Sequence, residues 1–97
     1  MRTFPLISDA GHGWARVPRQ VLNASGVSDQ ISAHSFQKGN NVFLEQDSDL
    51  PKFVEARNAA GVITKFAPYN NKSRESRIRK YERYTPDSVP ADVGQPE

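Results

Sequence analysis

The chain has 97 residues, 36% apolar and 25% charged, with a formal net charge of +2. That is the size of one small domain with a modest core. Cysteine is absent, which excludes disulfides, thiolate-bound zinc and a cysteine nucleophile, and no apolar run approaches the ~18 residues a membrane span needs.

Residues 1–10 show no apolar period and lack the apolar stretch of a secretory signal, so they read as a flexible N-terminal arm on a cytoplasmic protein. Gly11-His12-Gly13 marks a turn. Trp14-Ala15-Arg16-Val17 then alternates apolar and polar residues, the pattern of a short strand. Pro18 suits the first turn of a helix and Gly26 suits its end, which predicts a short helix over 18–25 with Val21 and Leu22 inward. Residues 31–37 alternate as a second strand, with Ile31, Ala33 and Ser35 on one side and Ser32, His34 and Phe36 on the other. Lys38-Gly39-Asn40-Asn41 has hairpin-turn chemistry, and Val42-Phe43-Leu44-Glu45 is the returning strand.

Asp47, Ser48 or Asp49 can cap a helix that Pro51 opens and Gly61 ends, with Leu50, Phe53, Val54, Ala56 and Ala60 on its apolar stripe. Val62, Ile63, Thr64 and Phe66 predict a last strand at 62–67. The order β-α-β-β-α-β predicts an α+β fold: a small antiparallel sheet, ferredoxin-like or similar, with two helices on one face. The domain would span 11–84, with 73–84 left open between a helix capped by Ser73 or Ser76 and an extended arm. Residues 85–97, with Pro86, Pro90, Gly94, Pro96, Asp87, Asp92 and Glu97, read as a disordered acidic tail.

Most of the positive charge falls in one segment, where Lys65, Lys72, Arg74, Arg77, Arg79, Lys80 and Arg83 face only Glu75 and Glu82. Arg and Lys donors match phosphate oxygens, and Tyr81 and Tyr84 can stack on unpaired bases. The candidate binding residues are therefore Arg74, Arg77, Arg79, Lys80, Tyr81, Arg83 and Tyr84. The competing reading is a solvated helix face with a Glu75–Arg79 pair, and the acidic tail can also fold back over it. Trp14, the sole tryptophan, is either a core residue or an interface anchor.

No motif supports catalysis. Glu45, Asp47 and Asp49 sit where helix capping and the helix dipole explain carboxylates. Gly11-x-Gly13 lacks the rest of a phosphate-loop pattern. His12 and His34 stand far apart with no evident third ligand, and His12 between glycines reads as a turn cap, so no metal site and no cofactor are expected.

Gly11-His12-Gly13-Trp14-Ala15-Arg16-Val17-Pro18, Ser35-Phe36, Leu44-Glu45-Gln46-Asp47 and Ser76-Arg77-Ile78-Arg79-Lys80-Tyr81-Glu82-Arg83-Tyr84 together resemble a family of small proteins encoded on bacterial plasmids, integrated elements and phages. That family shares a Gly-His-Gly-Trp-x-x-Val-Pro opening and a Ser-x-Ile-Arg-x-Tyr-x-x-Tyr close, and the resemblance covers about residues 11–84. Phe36 stands where Tyr is usual and Lys80 where a small residue is usual, the latter favouring a helix near the close. The resemblance implies a setting in bacterial mobile elements and no mechanism. The combined expectation is a non-enzymatic binding protein that contacts nucleic acid or an acidic protein surface, not a membrane, through its basic-aromatic segment. The alternative is a protein-binding inhibitor or adaptor acting on a host complex such as a defence complex. An exposed edge strand would also allow a homodimer.

Overall fold

The computed structural model describes residues 2–9, 11–70 and 77–86. The chain begins with strand β1 (Arg2–Ser8), turns back into β2 (Gly13–Pro18), and passes through helix α1 (Arg19–Ser25) and a short 3-10 turn at Ser28–Gln30. The hairpin β3 (Phe36–Lys38) and β4 (Asn41–Glu45) leads to helix α2 (Leu50–Ala59) and strand β5 (Thr64–Asn70). A 3-10 turn at Arg77–Lys80 and the short strand β6 (Glu82–Arg83) complete the described fold.

The fold is α+β, with one mostly antiparallel sheet in the order β5-β1-β2-β4-β3-β6. Residues 2–8, expected as a flexible arm, are instead β1, antiparallel to β2 on one side and parallel to β5 on the other. A four-stranded ferredoxin-like sheet would set the last strand directly beside β2, and here β1 separates the two. The expected strand over 31–37 is confined to Phe36–Lys38, because Ser32 and Ser35 turn their polar groups toward Asp49 instead of a strand ladder.

The helix ends follow the local chemistry. Pro18 precedes α1 with ψ 137°, and Gly26 ends it at φ +84°, a left-handed conformation that costs glycine little. At the end of α2, Gly61 N–H donates to Asn58 O and Val62 N–H to Arg57 O at 3.0 and 2.9 Å. This is the paired-bond termination that a left-handed glycine permits. Gly61 sits at φ +76°. At the other end Asp49 precedes α2 without capping it by its side chain, contrary to expectation, because that carboxylate serves the 32–35 loop.

The sheet has two unlike faces. On one, Ala15, Val17, Val42, Leu44 and Phe4 pack against Leu22 of α1 and Leu50 and Phe53 of α2. Phe4 and Phe53 meet edge to face with ring centroids 5.6 Å apart. On the other, Trp14, Phe36 and Phe43 form a second apolar cluster closed by Ile78, with Ile7 and Tyr81 at its margin. The C-terminal segment is thus part of the fold. Tyr84 is only 4% exposed and donates its hydroxyl to Ser28 O. Arg19 holds the same segment by donating to Thr85 O at 3.1 Å and to Gln37 Oε1, which also accepts from Thr85 N–H. No helix among the described residues is long and apolar enough to cross a membrane.

Candidate functional site

The antiparallel register of β2 and β4 builds the site. Trp14 lies opposite Glu45, and the pairing runs one step further, with Gln46 N–H donating to Gly13 O at 2.8 Å. The next pair in that register is His12 and Asp47, just past the end of the ladder. Because side chains alternate across a strand, Trp14, Glu45, His12 and Asp47 all belong to the face away from the helices.

Two tight turns hold these residues. Asp9 Oδ1 accepts from the backbone N–H of Gly11 and of His12 at 3.0 Å each, and Asp9 N–H donates to His12 O. The cap of this turn is therefore Asp9, not His12 as expected, which leaves the imidazole for other work. After β4, Ser48 and Asp49 donate their N–H groups to Glu45 O. The Glu45 side chain is buried: Ser48 Oγ donates to its Oε1 at 2.7 Å, and its Oε2 faces His12 Nδ1 at 3.6 Å. Oε2 is shielded from solvent and accepts no hydrogen bond among the described residues.

One ligand atom each from His12, Glu45 and Asp47 lie within 4.8 Å of one another. The third partner that sequence reasoning found missing for His12 is supplied by the fold. These three residues line a cleft of about 630 Å³ together with Trp14, Phe36, His34, Lys80 and Arg83. Histidine, carboxylates and cations converging on an aromatic floor can hold a metal ion, an anion, or both.

Behind the cleft lies a buried polar network. The Asp49 carboxylate is fully buried. Its Oδ1 accepts from Ser32 N–H at 3.0 Å and Lys52 Nζ at 3.1 Å, and its Oδ2 from the hydroxyls of Ser32 and Ser35 at 2.8 and 2.5 Å. Ser35 Oγ in turn accepts from Glu45 N–H at 3.0 Å. Burial alone would raise the Asp49 pKa, but the hydrogen bonds from Ser35, Ser32 and Lys52 outweigh it and hold the carboxyl below its ordinary value. The network locks the 32–35 loop to the start of α2 and fixes the end of β4 that carries Glu45.

The basic-aromatic residues divide between structure and surface. Arg16 lies opposite Phe43, Phe43 opposite Phe36, and Phe36 opposite Arg83, so the four form a row across the same face. Arg83 lays its guanidinium 5.0 Å from the Phe36 ring centroid and donates to Ala33 O at 2.8 Å. Lys38 Nζ sits 4.8 Å from the Tyr81 ring centroid, and Tyr81 packs on Phe43 at 5.1 Å. Arg16, Lys38, Lys80 and Arg83 are exposed.

Tyr84 belongs to the main core and is not a stacking platform, because its ring is buried in that cluster and its hydroxyl is bonded to Ser28 O. Trp14 is 2% exposed and packs edge-on to Phe36, so it is a core residue and not a surface anchor. Arg74 lies outside the described residues, as does the tail from 87 onward, and only the backbone of Arg77 and Arg79 is described. Arg16 and Lys38 were not among the sequence candidates, because nothing in their local spacing announces a shared face with Arg83. Comparison with protein-family models, curated proteins and solved structures finds no match to this chain.

Proposed function

We propose that this protein is a nucleic-acid-binding module that grips the phosphate backbone with the sheet face opposite the helices. The observation that carries the reading is the cross-strand row Arg16–Phe43–Phe36–Arg83, flanked by exposed Lys38 and Lys80. It sets at least four cations around one apolar floor. Such an array neutralises phosphates with little choice of sequence. Binding is the role, not catalysis, and the aromatic rings serve mainly to hold the cations: Phe36 beneath Arg83 and Tyr81 beneath Lys38.

The test is fluorescence anisotropy of labelled single- and double-stranded DNA and RNA across a salt series, for the wild type and an Arg16→Ala/Lys38→Ala/Lys80→Ala variant. All three side chains are exposed, so the variant keeps its core. Four phosphate contacts to a single strand give a slope of about −3 in log affinity against log salt. The variant should lose most of that slope together with most of the affinity at low salt. Absence of binding at low salt overturns the reading, as does binding that the triple substitution leaves unchanged.

A further inference from the structure

We infer that His12, Glu45 and Asp47 form a binding site for one divalent first-row transition-metal ion at the mouth of the cleft. The inference stands apart from the nucleic-acid reading, since it rests on different residues and is tested without any nucleic acid.

Three observations converge on it. The first is spacing. A charged hydrogen bond between imidazole and carboxylate closes to roughly 2.7–2.9 Å, yet His12 Nδ1 and Glu45 Oε2 stand 3.6 Å apart. Two atoms bound to a common tetrahedral ion at ~2.0–2.1 Å each are about 3.4 Å apart. The gap is that of two ligands around a third atom, and Asp47 brings a carboxylate oxygen into the same 4.8 Å group.

The second is the state of Glu45. The residue is only 8% exposed, and its Oε2 is a buried carboxylate oxygen without a hydrogen bond among the described residues. Leaving such an atom unsatisfied is costly, and a cation removes the cost. Glu45 lines the cleft, and its Oε2 faces His12 Nδ1.

The third is the support around the ligands. Ser48 Oγ fixes the other oxygen of Glu45, and Asp9 pins the backbone of His12. Metal sites orient their ligands with such outer hydrogen bonds. The donor set of one imidazole and two carboxylates selects the class of ion: the imidazole favours later first-row ions such as zinc, nickel or copper over magnesium, calcium and manganese. Three protein ligands leave at least one position open toward the cleft.

The sole tryptophan reports on the site directly, since the His12 and Trp14 rings are 6.0 Å apart between centroids. The full chain is titrated with Co²⁺ at neutral pH while Trp14 emission is followed, and with Zn²⁺ by calorimetry. The expected result is one saturable site per chain, quenching of Trp14 by paramagnetic Co²⁺, and recovery of emission as Zn²⁺ displaces it. His12→Ala and Asp47→Asn alter exposed side chains, so both variants should keep the wild-type circular dichroism. Each should weaken the affinity for either ion by about tenfold or more. No saturable binding overturns the inference and leaves His12 and Glu45 as neighbours without a shared ligand. Binding that neither quenches Trp14 nor responds to the two substitutions overturns it equally, because the ion is then held elsewhere.

Discussion

The two faces of the sheet are built to different standards. The helix-covered face is sealed by regular elements, with Leu22, Leu50 and Phe53 set onto Phe4, Val17 and Leu44. Among the described residues the opposite face is covered by the 3-10 turn at Arg77–Lys80, whose Ile78 clusters with Trp14, Phe36 and Phe43. The first face admits the Arg57 guanidinium against the rings of Phe4 and Phe53, whereas the second collects Arg16, Lys38, Lys80, Arg83, His12, Glu45 and Asp47. The larger apolar cluster and the proposed binding groups thus lie on opposite sides of one sheet.

Substitutions on the two faces sharpen that contrast. Phe53→Ala removes a fully buried ring from the helix side and should cost about 3–5 kcal/mol, a large part of the ~5–15 kcal/mol that holds a domain together. Urea unfolding followed by circular dichroism should show one early, cooperative transition. Ile78→Ala on the other face should cost about 2 kcal/mol, at the low end for its type, because a short turn can shift to fill the space. Its signature should be local: Trp14 emission shifts to the red in buffer while the helical signal is retained. Equal global losses from both substitutions would mean that the two layers form a single cooperative unit.

The same division marks what the sequence discloses. The helices are legible because their ends are punctuated: Pro18 and Gly26 bracket α1, and Pro51 and Gly61 bracket α2. The hairpin is legible because Gly39 accepts a positive φ of 59° between two apolar runs. Strand β1 is not, since Pro5 within Arg2–Ser8 lacks an N–H and argues against an interior strand. It becomes one only because β2 and β5 flank it. The cleft is hidden for a related reason. His12 and Asp47 meet only through the β2–β4 register, and no local spacing encodes that pairing. Tyr84 looks like a surface ring beside Arg83, yet it is drawn into the main core by contacts with residues more than fifty positions away.

Asp49 joins the two faces, as the residue before α2 and the anchor of the loop that borders the cleft. Its carboxyl titrates below the ordinary value of 3.8 in the folded protein. A group whose pKa is depressed by folding adds stability above its unfolded pKa and loses it as the pH falls through the folded one. The Asp49 contribution should therefore be complete at pH 5–7 and decline below about pH 3.8. Asp49→Asn should cost about 1–3 kcal/mol at neutral pH, because one acceptor oxygen becomes a donor facing hydroxyls that already donate. Denaturant midpoints at pH 7, 4 and 3 should show the gap between wild type and variant narrowing as the pH drops. A gap independent of pH would remove the carboxylate charge from the account and leave only shape.

The smallest expected effect separates two arginines of one cross-strand row. Arg16 is exposed at its β2 end, whereas Arg83 donates to Ala33 O and covers Phe36. Arg16→Ala should leave the unfolding midpoint within about 0.5 kcal/mol of wild type and lower the salt slope of single-strand binding by about 0.7. Arg83→Ala should lower the slope by the same amount and in addition destabilise the β3–β6 edge, since its aliphatic stem and guanidinium shield Phe36 from water. Equal stability for both variants, measured beside their salt slopes, would show that Arg83 serves the ligand alone. A stability loss confined to Arg83→Ala would show that one side chain in this row both closes its face of the sheet and presents charge from it.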